Sequence, residues 1–311
     1  MNDVVVTDIV DLNKKPEPKP EQTEGINIVQ GDPSHPEPIT IEPLTTEQPK
    51  PTKKPQHGYI VWRDSQAIKN IFKLIHGVAD ECTFVMTPNA LTLRIMDPSR
   101  VAMIDLVLPK EQCEEFTCLE DLKFCFNVES LLNRTLKNTY KDEAIRFDVD
   151  VTPISETMRT RLIQKLTRNF TIPLLEASVE EIPTPKITLP FHAKLVLENL
   201  NTLFKDLEDH VVIKGNIDGV TFEQNSDYEM EKFSTTLQKG DETVLDIRTS
   251  EPEVKATFSC SYLKEILKLL NPLTTIITLS FGTNLILEID AEIVGYGAIR
   301  FYLAPRIETE D

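Results

Sequence analysis

The chain has 311 residues, room for two domains of ordinary size that each bury a core. Hydrophobic residues make up 40% and charged residues 27%, and no apolar run nears the roughly 18 residues of a membrane span, so no membrane-spanning helix is expected. A net charge of −17 argues against a nucleic-acid partner unless Lys and Arg are gathered on one surface, because only clustered cations neutralise phosphates.

Residues 1–57 hold 10 of the 21 prolines, no aromatic residue, and runs such as Lys14-Lys15-Pro16-Glu17-Pro18-Lys19-Pro20. Such a segment buries too little surface to offset chain entropy and reads as a disordered, proline-rich tail. Met1 to Asp11 has no basic stretch followed by an apolar one, so no secretory signal is read there and the chain is expected to stay inside the cell. The tail carries 6 basic and 10 acidic residues, which leaves 27 basic against 40 acidic, or −13, for the body. The acidity therefore belongs to the body. Five cysteines, Cys82, Cys113, Cys118, Cys125 and Cys260, are an odd number without C-x-x-C spacing and read as reduced core residues.

From Gly58 onward one plan occurs twice: an amphipathic helix, two strands joined by a tight turn, later a second helix, then another strand. The first copy is read as a helix over Ser65 to Val78, strands Cys82 to Met86 and Leu91 to Ile95 around Pro88-Asn89, a helix over Val128 to Lys137, and a strand Ala144 to Val151. In that last strand Ile145, Phe147, Val149 and Val151 alternate with polar residues, the period of a sheet with one wet face. Ile172 to Pro190, with Pro173, Pro183 and Pro185, reads as a linker. The second copy has a helix over Leu197 to Leu207, strands His210 to Lys214 and Val220 to Glu223 around Asp218-Gly219, a helix over Ser261 to Leu270, and a strand Thr275 to Phe281. The fold class is α+β, with two similar domains, 58–172 and 190–311, joined by a connector, 173–189.

Each of the four helices has an apolar stripe, and each sets basic residues on its other face. Lys69, Lys73 and His76 share one face of the first helix; Arg134 and Lys137 follow on the second, Lys205 on the third, Lys264 and Lys268 on the fourth. A single such helix is ordinarily just a solvated surface. Repetition over four helices, interrupted by Asp206, Glu208 and Glu265, marks a basic layer on an otherwise acidic body. Catalysis finds little support. Gly295-Tyr296-Gly297-Ala298-Ile299-Arg300 lacks the third glycine of a dinucleotide loop and leads into a strand, and His76, His192 and His210 sit in no hydrolase or metalloprotease context. No enzyme activity, metal or cofactor is expected, a two-domain enzyme remaining the rival class.

The segment Met96-Asp97-Pro98-Ser99-Arg100-Val101-Ala102-Met103-Ile104-Asp105-Leu106 closely resembles the central loop and following strand of archaeal proliferating cell nuclear antigen clamps. Phe301-Tyr302-Leu303-Ala304-Pro305-Arg306-Ile307-Glu308 looks like that family's closing strand and acidic tail, and Phe170 to Lys194 is similar to its connector. The resemblance covers about residues 58–311. It implies a head-to-tail, ring-shaped trimer, helices lining the hole and antiparallel sheets outside. Lys69, Lys73, Arg134, Lys137, Lys205, Lys264 and Lys268 would then face double-stranded DNA without reading sequence. A second implied site is a groove under the connector, built from Met96, Val101, Met103, Ile182, Tyr302, Ala304 and Pro305, which receives a short helical client peptide. The resemblance further implies DNA polymerase, clamp loader, flap endonuclease and ligase as partners, and subunit contacts through Arg168 to Leu174 and Tyr228 to Leu237. It leaves open a homotrimer, a heterotrimer, or a checkpoint-type clamp. An archaeal-like central loop points to a cytoplasmic, nucleoid-associated protein, with a nuclear one if the source is eukaryotic. Thr184, Asn284 and Ile217 depart from the eukaryotic pattern in the connector, the groove and the turn before Asp218.

Overall fold

The computed structural model describes residues 55–152, 156–177, 182–225 and 232–306. The expected tail lies outside them except at its end, where the reading is corrected. Gln56 and His57 begin the first strand, β1 (Gln56–Trp62), and pair with Val151 and Asp150. Gln56 also donates its side-chain amide to the Asp121 carbonyl at 3.0 Å, and His57 Nδ1 lies 2.7 Å from Asp150. Cross-strand hydrogen bonds thus outweigh the polar composition of these two residues.

The first half continues with α1 (Ser65–His76), β2 (Glu81–Met86), β3 (Ala90–Met96), β4 (Ala102–Pro109), β5 (Glu115–Cys118), β6 (Leu122–Asn127), α2 (Val128–Ser130), β7 (Ala144–Val151), β8 (Glu156–Ile163) and β9 (Thr167–Pro173). The second half repeats the order: β10 (Phe191–Val196), α3 (Leu197–Leu203), β11 (His210–Asn216), β12 (Gly219–Asn225), β13 (Lys232–Gln238), β14 (Val244–Thr249), β15 (Glu253–Ser259), α4 (Cys260–Leu270), β16 (Ile276–Phe281), β17 (Leu287–Ile293) and β18 (Gly297–Leu303). Each strand of the first half therefore matches the strand nine places later.

The pairing is repeated too, and all of it is antiparallel. β5-β1-β7-β8-β9 in the first half corresponds to β14-β10-β16-β17-β18 in the second, and β4-β3-β2-β6 corresponds to β13-β12-β11-β15. Among the described residues one pairing has no counterpart: β18 lies against β4, with Phe301 opposite Ile104 and Arg300 opposite Asp105. That seam fuses two of the four units into a nine-stranded sheet, while β9 and β13 remain edges. Gly297, at φ +147°, opens β18 where the backbones come closest; a Cβ there would stand 2.1 Å from the Val107 carbonyl.

The helices pack side by side, α3 on α4, α4 on α1, and α1 on α2, with the sheets behind them. Asp64 caps α1 by accepting from the Gln66 amide at 2.8 Å, and Ile68, Ile71, Phe72 and Ile75 fill the first core. Phe72 sits within 6.0 Å, ring to ring, of Phe84, Phe126 and Phe147, and Phe191, Phe258 and Phe281 play the same part in the second half.

Two helices differ from expectation. α2 is a single turn that widens into a π-turn over Leu131–Thr135, closed by a Leu136 N–H to Leu131 carbonyl bond of 3.0 Å. The wide turn lets Leu131, Leu132 and Leu136 all reach the core. α3 tightens into a 3-10 turn at Phe204–Asp206, which buries both Phe204 and Leu207. The connector also begins later than its expected start, because Pro173 still pairs with Thr157 and Leu175 bridges to Cys125. No other strand occurs among its described residues.

Candidate functional site

The seven basic residues fall into two groups on the helical layer. Lys205, Lys264 and Lys268 line an open cleft of 510 Å³ between α3 and α4, with Asn201, Phe204 and Asn271. Asn201 holds the two helices together there, donating to the Leu267 carbonyl at 3.2 Å and to Asn271 at 3.3 Å. Across the α1–α4 contact, Lys69 and Lys73 lie on α1 and Arg134 and Lys137 on and after the π-turn. Lys69 Nζ donates to the Lys137 carbonyl at 2.9 Å, which ties these elements together. Partial burial, with the neighbouring charge of Lys73, lowers the Lys69 pKa below the usual lysine value. Lys73, Arg134, Lys137, Lys205 and Lys268 are exposed, so the layer offers mobile cations to a polyanion. Glu265, between Lys264 and Lys268, faces Gly77 at the C-terminal end of α1 and interrupts the two groups.

The groove residues gather on the opposite, outer side of the nine-stranded sheet. Met96 is the cross-strand partner of Met103, and Met103 of Tyr302, so three candidates form one row over β3, β4 and β18. Val101 joins them through its carbonyl, which accepts from the Ala304 amide at 2.9 Å, and Pro305 follows. Met103 and Tyr302 are nearly buried, whereas Met96, Val101, Ala304 and Pro305 are half-buried. Burial, with Glu288 nearby, raises the Tyr302 pKa above the ordinary tyrosine value.

Ile182 reaches this face from the connector, held by a residue the sequence reading missed. Arg94 donates Nη1 to the Ile182 carbonyl at 2.9 Å while its Nη2 pairs with Asp105 at 2.8 Å. Next to that tether a 390 Å³ depression is lined by Thr83, Val85, Thr92, Lys123, Ile182 and Pro183. Ile182 lies on this depression rather than in the methionine row. Asp97 was missed as well: it is only 7% exposed although it lies in the turn between β3 and β4. An Asp-Pro-Ser-Arg run is a turn signal in sequence, but burial of its carboxylate is not visible there.

The expected subunit edges are edges in the fold. β13 alternates between exposed and half-buried residues, and β9 does the same except at Ile172, which is buried. Tyr228 to Glu231, the start of the second expected segment, lie outside the described residues. Phe170 on β9 and Phe233 and Leu237 on β13 pack against the core while remaining partly open to solvent. Of the departures noted in sequence, Asn284 adopts φ +54° and donates its amide to Lys255, while Ile217 and Thr184 are exposed.

Comparison with known proteins bears on the whole body. Residues 61–165 match the family domain described as proliferating cell nuclear antigen, N-terminal domain, and 195–306 match its C-terminal domain. A DNA polymerase sliding clamp of Thermofilum pendens is 27% identical over 251 residues, 80% of this chain and 98% of that protein. DNA polymerase sliding clamp 1 of Pyrobaculum aerophilum is 29% identical over 252 residues, again 80% and 98%. Among solved structures, the fold is shared with PCNA from Thermococcus kodakaraensis at a TM-score of 0.73 and 20% identity, over 80% of this chain and 100% of that one. It is shared also with a PCNA2–PCNA3 complex from Sulfolobus tokodaii, at 0.71 and 23%, with the same coverage.

Proposed function

The chain belongs to the proliferating cell nuclear antigen family, whose relatives here are DNA polymerase sliding clamps, and we propose that copies of it close head to tail around duplex DNA. The observation that carries this reading is the unmatched β4–β18 seam. β18 occupies in the second half the place β9 has in the first, and β4 the place of β13. If β9 of one copy meets β13 of the next as β18 meets β4, each junction repeats the last and the assembly is heterologous. Such an assembly closes when the rotations add to a full turn; the family's number is three. Phe170 and Phe233 hold the places of Phe301 and Ile104, so their half-exposed rings would be covered by the neighbouring copy.

In that ring the helical layer lines the hole. Exposed cations on flexible stems attract the phosphate backbone without base readout, which permits sliding. The acidic outer surface leaves the hole as the favourable place for DNA, since charges beyond about 8 Å are largely screened at physiological salt. The methionine row and Tyr302 would receive a client peptide from DNA polymerase or another replication or repair enzyme, the flexible thioethers adapting to different anchors. Catalysis has no part in this reading.

Retention on DNA tests the proposal. Loaded onto nicked circular DNA, the protein should remain bound through a salt wash and be lost when one cut linearises the circle. Equal loss from circle and line would overturn encirclement.

A further inference from the structure

The buried carboxylate of Asp97 organises the turn that joins Met96 to Val101. Its Oδ1 accepts from the amides of Val101 at 2.7 Å and Ala102 at 2.6 Å, and its Oδ2 from the Ser99 amide at 3.2 Å. The turn includes Arg100 at φ +58°, a conformation that a side chain other than glycine adopts at a cost. A fourth donor comes from far along the chain: Tyr262 of α4 gives its hydroxyl to Asp97 Oδ2 at 2.9 Å. Tyr262 lies in the crevice between α1 and α4, with Leu74, Gly77, Leu269 and Phe301. It therefore crosses from the second half of the chain to the first. Burial, then Asp97 itself, pushes the Tyr262 pKa above the ordinary tyrosine value, which keeps the hydroxyl protonated and donating.

Beyond the turn, the Val101 carbonyl accepts from the Ala304 amide at 2.9 Å. A continuous path of hydrogen bonds thus runs from α4, which carries Lys264 and Lys268, through Tyr262 and Asp97 to Val101 and Ala304. We infer that Tyr262 is a positioning residue for the peptide groove, holding the Asp97–Val101 turn from the helix that faces DNA. The inference rests on the groove reading above for its functional meaning. Its structural part stands alone, because the turn either depends on the Tyr262 hydroxyl or it does not. A hydrogen bond to a charged, poorly solvated group is the kind whose loss is felt most, since the remaining partner is left underused in a buried place.

The test is Tyr262→Phe in the full chain, which keeps the ring in its crevice and removes only the hydroxyl. Deuterium exchange at the Val101 and Ala102 amides should quicken roughly ten-fold, while amides of β16 and the assembly mass stay as they were. Calorimetry with a synthetic helical peptide bearing apolar anchors should show binding weakened by a similar factor. Unchanged exchange at Val101 and Ala102 would overturn the positioning role. Faster exchange with unaltered peptide affinity would also overturn it, confining the hydroxyl to local stability. If the wild-type protein binds no such peptide, the groove reading itself fails, whatever the exchange shows.

Discussion

The β4–β18 junction and the edges β9 and β13 are the same kind of surface in two states, one closed within the chain and the other open. At the closed junction Phe301 is 2% exposed and Ile104 fully buried, and Arg300 stands across from Asp105. At the open edges Phe170, Phe233 and Leu237 touch the core yet keep part of their surface in water. A duplicated chain can close an edge strand internally or leave it for another copy. An unprotected edge invites arbitrary pairing, and a chain that repeats its own internal junction between copies gives that edge one defined partner.

Substitutions at matching places should separate the two states. Phe301→Ala empties a packed site inside the fold and should cost about 3–5 kcal/mol, read as a large fall in thermal midpoint. Phe170→Ala, in the corresponding place on β9, should move the midpoint of the isolated subunit much less. Its effect should appear in mass, with dissociation at micromolar concentrations where the wild-type protein is assembled. If both variants lost only stability, the edges would be unrelated to assembly.

A smaller effect is expected on the helical layer. Lys264→Glu with Lys268→Glu should leave mass unchanged but lower the rate of loading onto nicked circular DNA, most visibly at low salt, where phosphate contacts matter most. Unaltered loading across a salt series would remove the cleft between α3 and α4 from the DNA-facing surface.

The smallest effect concerns acid stability beside the open edge. Asp148 lies on β7 between Arg146 and Arg161, 2.7 and 2.8 Å away. Burial pushes its pKa up, but hydrogen bonds and charge from the two arginines outweigh that and hold it below the usual aspartate value. Asp150 is similarly lowered, burial again opposed by Arg159 and His57. A depressed folded pKa stabilises above the unfolded value near 3.9 and loses that contribution as pH falls through the folded value. Thermal midpoints should therefore drop below about pH 4, and Asp148→Asn should shrink the difference between pH 7 and pH 3. An unchanged difference would show that this pair does not couple to folding.

Much of this architecture was legible in sequence because it is local. The helices over Ser65–His76 and Cys260–Leu270 follow from apolar spacing, and β7 from strict alternation. Lys69, Lys73, Lys264 and Lys268 could be placed on helix faces for the same reason, whereas Lys137 falls beyond the π-turn and Lys205 in a 3-10 turn. What sequence hid is long-range. Nothing in Arg94 announces that it would hold the Ile182 carbonyl 88 residues away, and Tyr262 reads as one more half-polar residue on an amphipathic helix. The π-turn after α2 was hidden too, since a five-residue step places leucines inward almost as well as a helical one. The groove residues were named through the family resemblance, and their row over three strands depends on a register between halves of the chain that no local pattern encodes.

The most direct test of ring closure is the solution mass by light scattering, over a dilution series from micromolar to nanomolar. An assembly of three 35.4 kDa chains, about 106 kDa, should persist to low concentration. A chain that stays monomeric at micromolar concentration would contradict it, because the edges at β9 and β13 would then not be each other's partners.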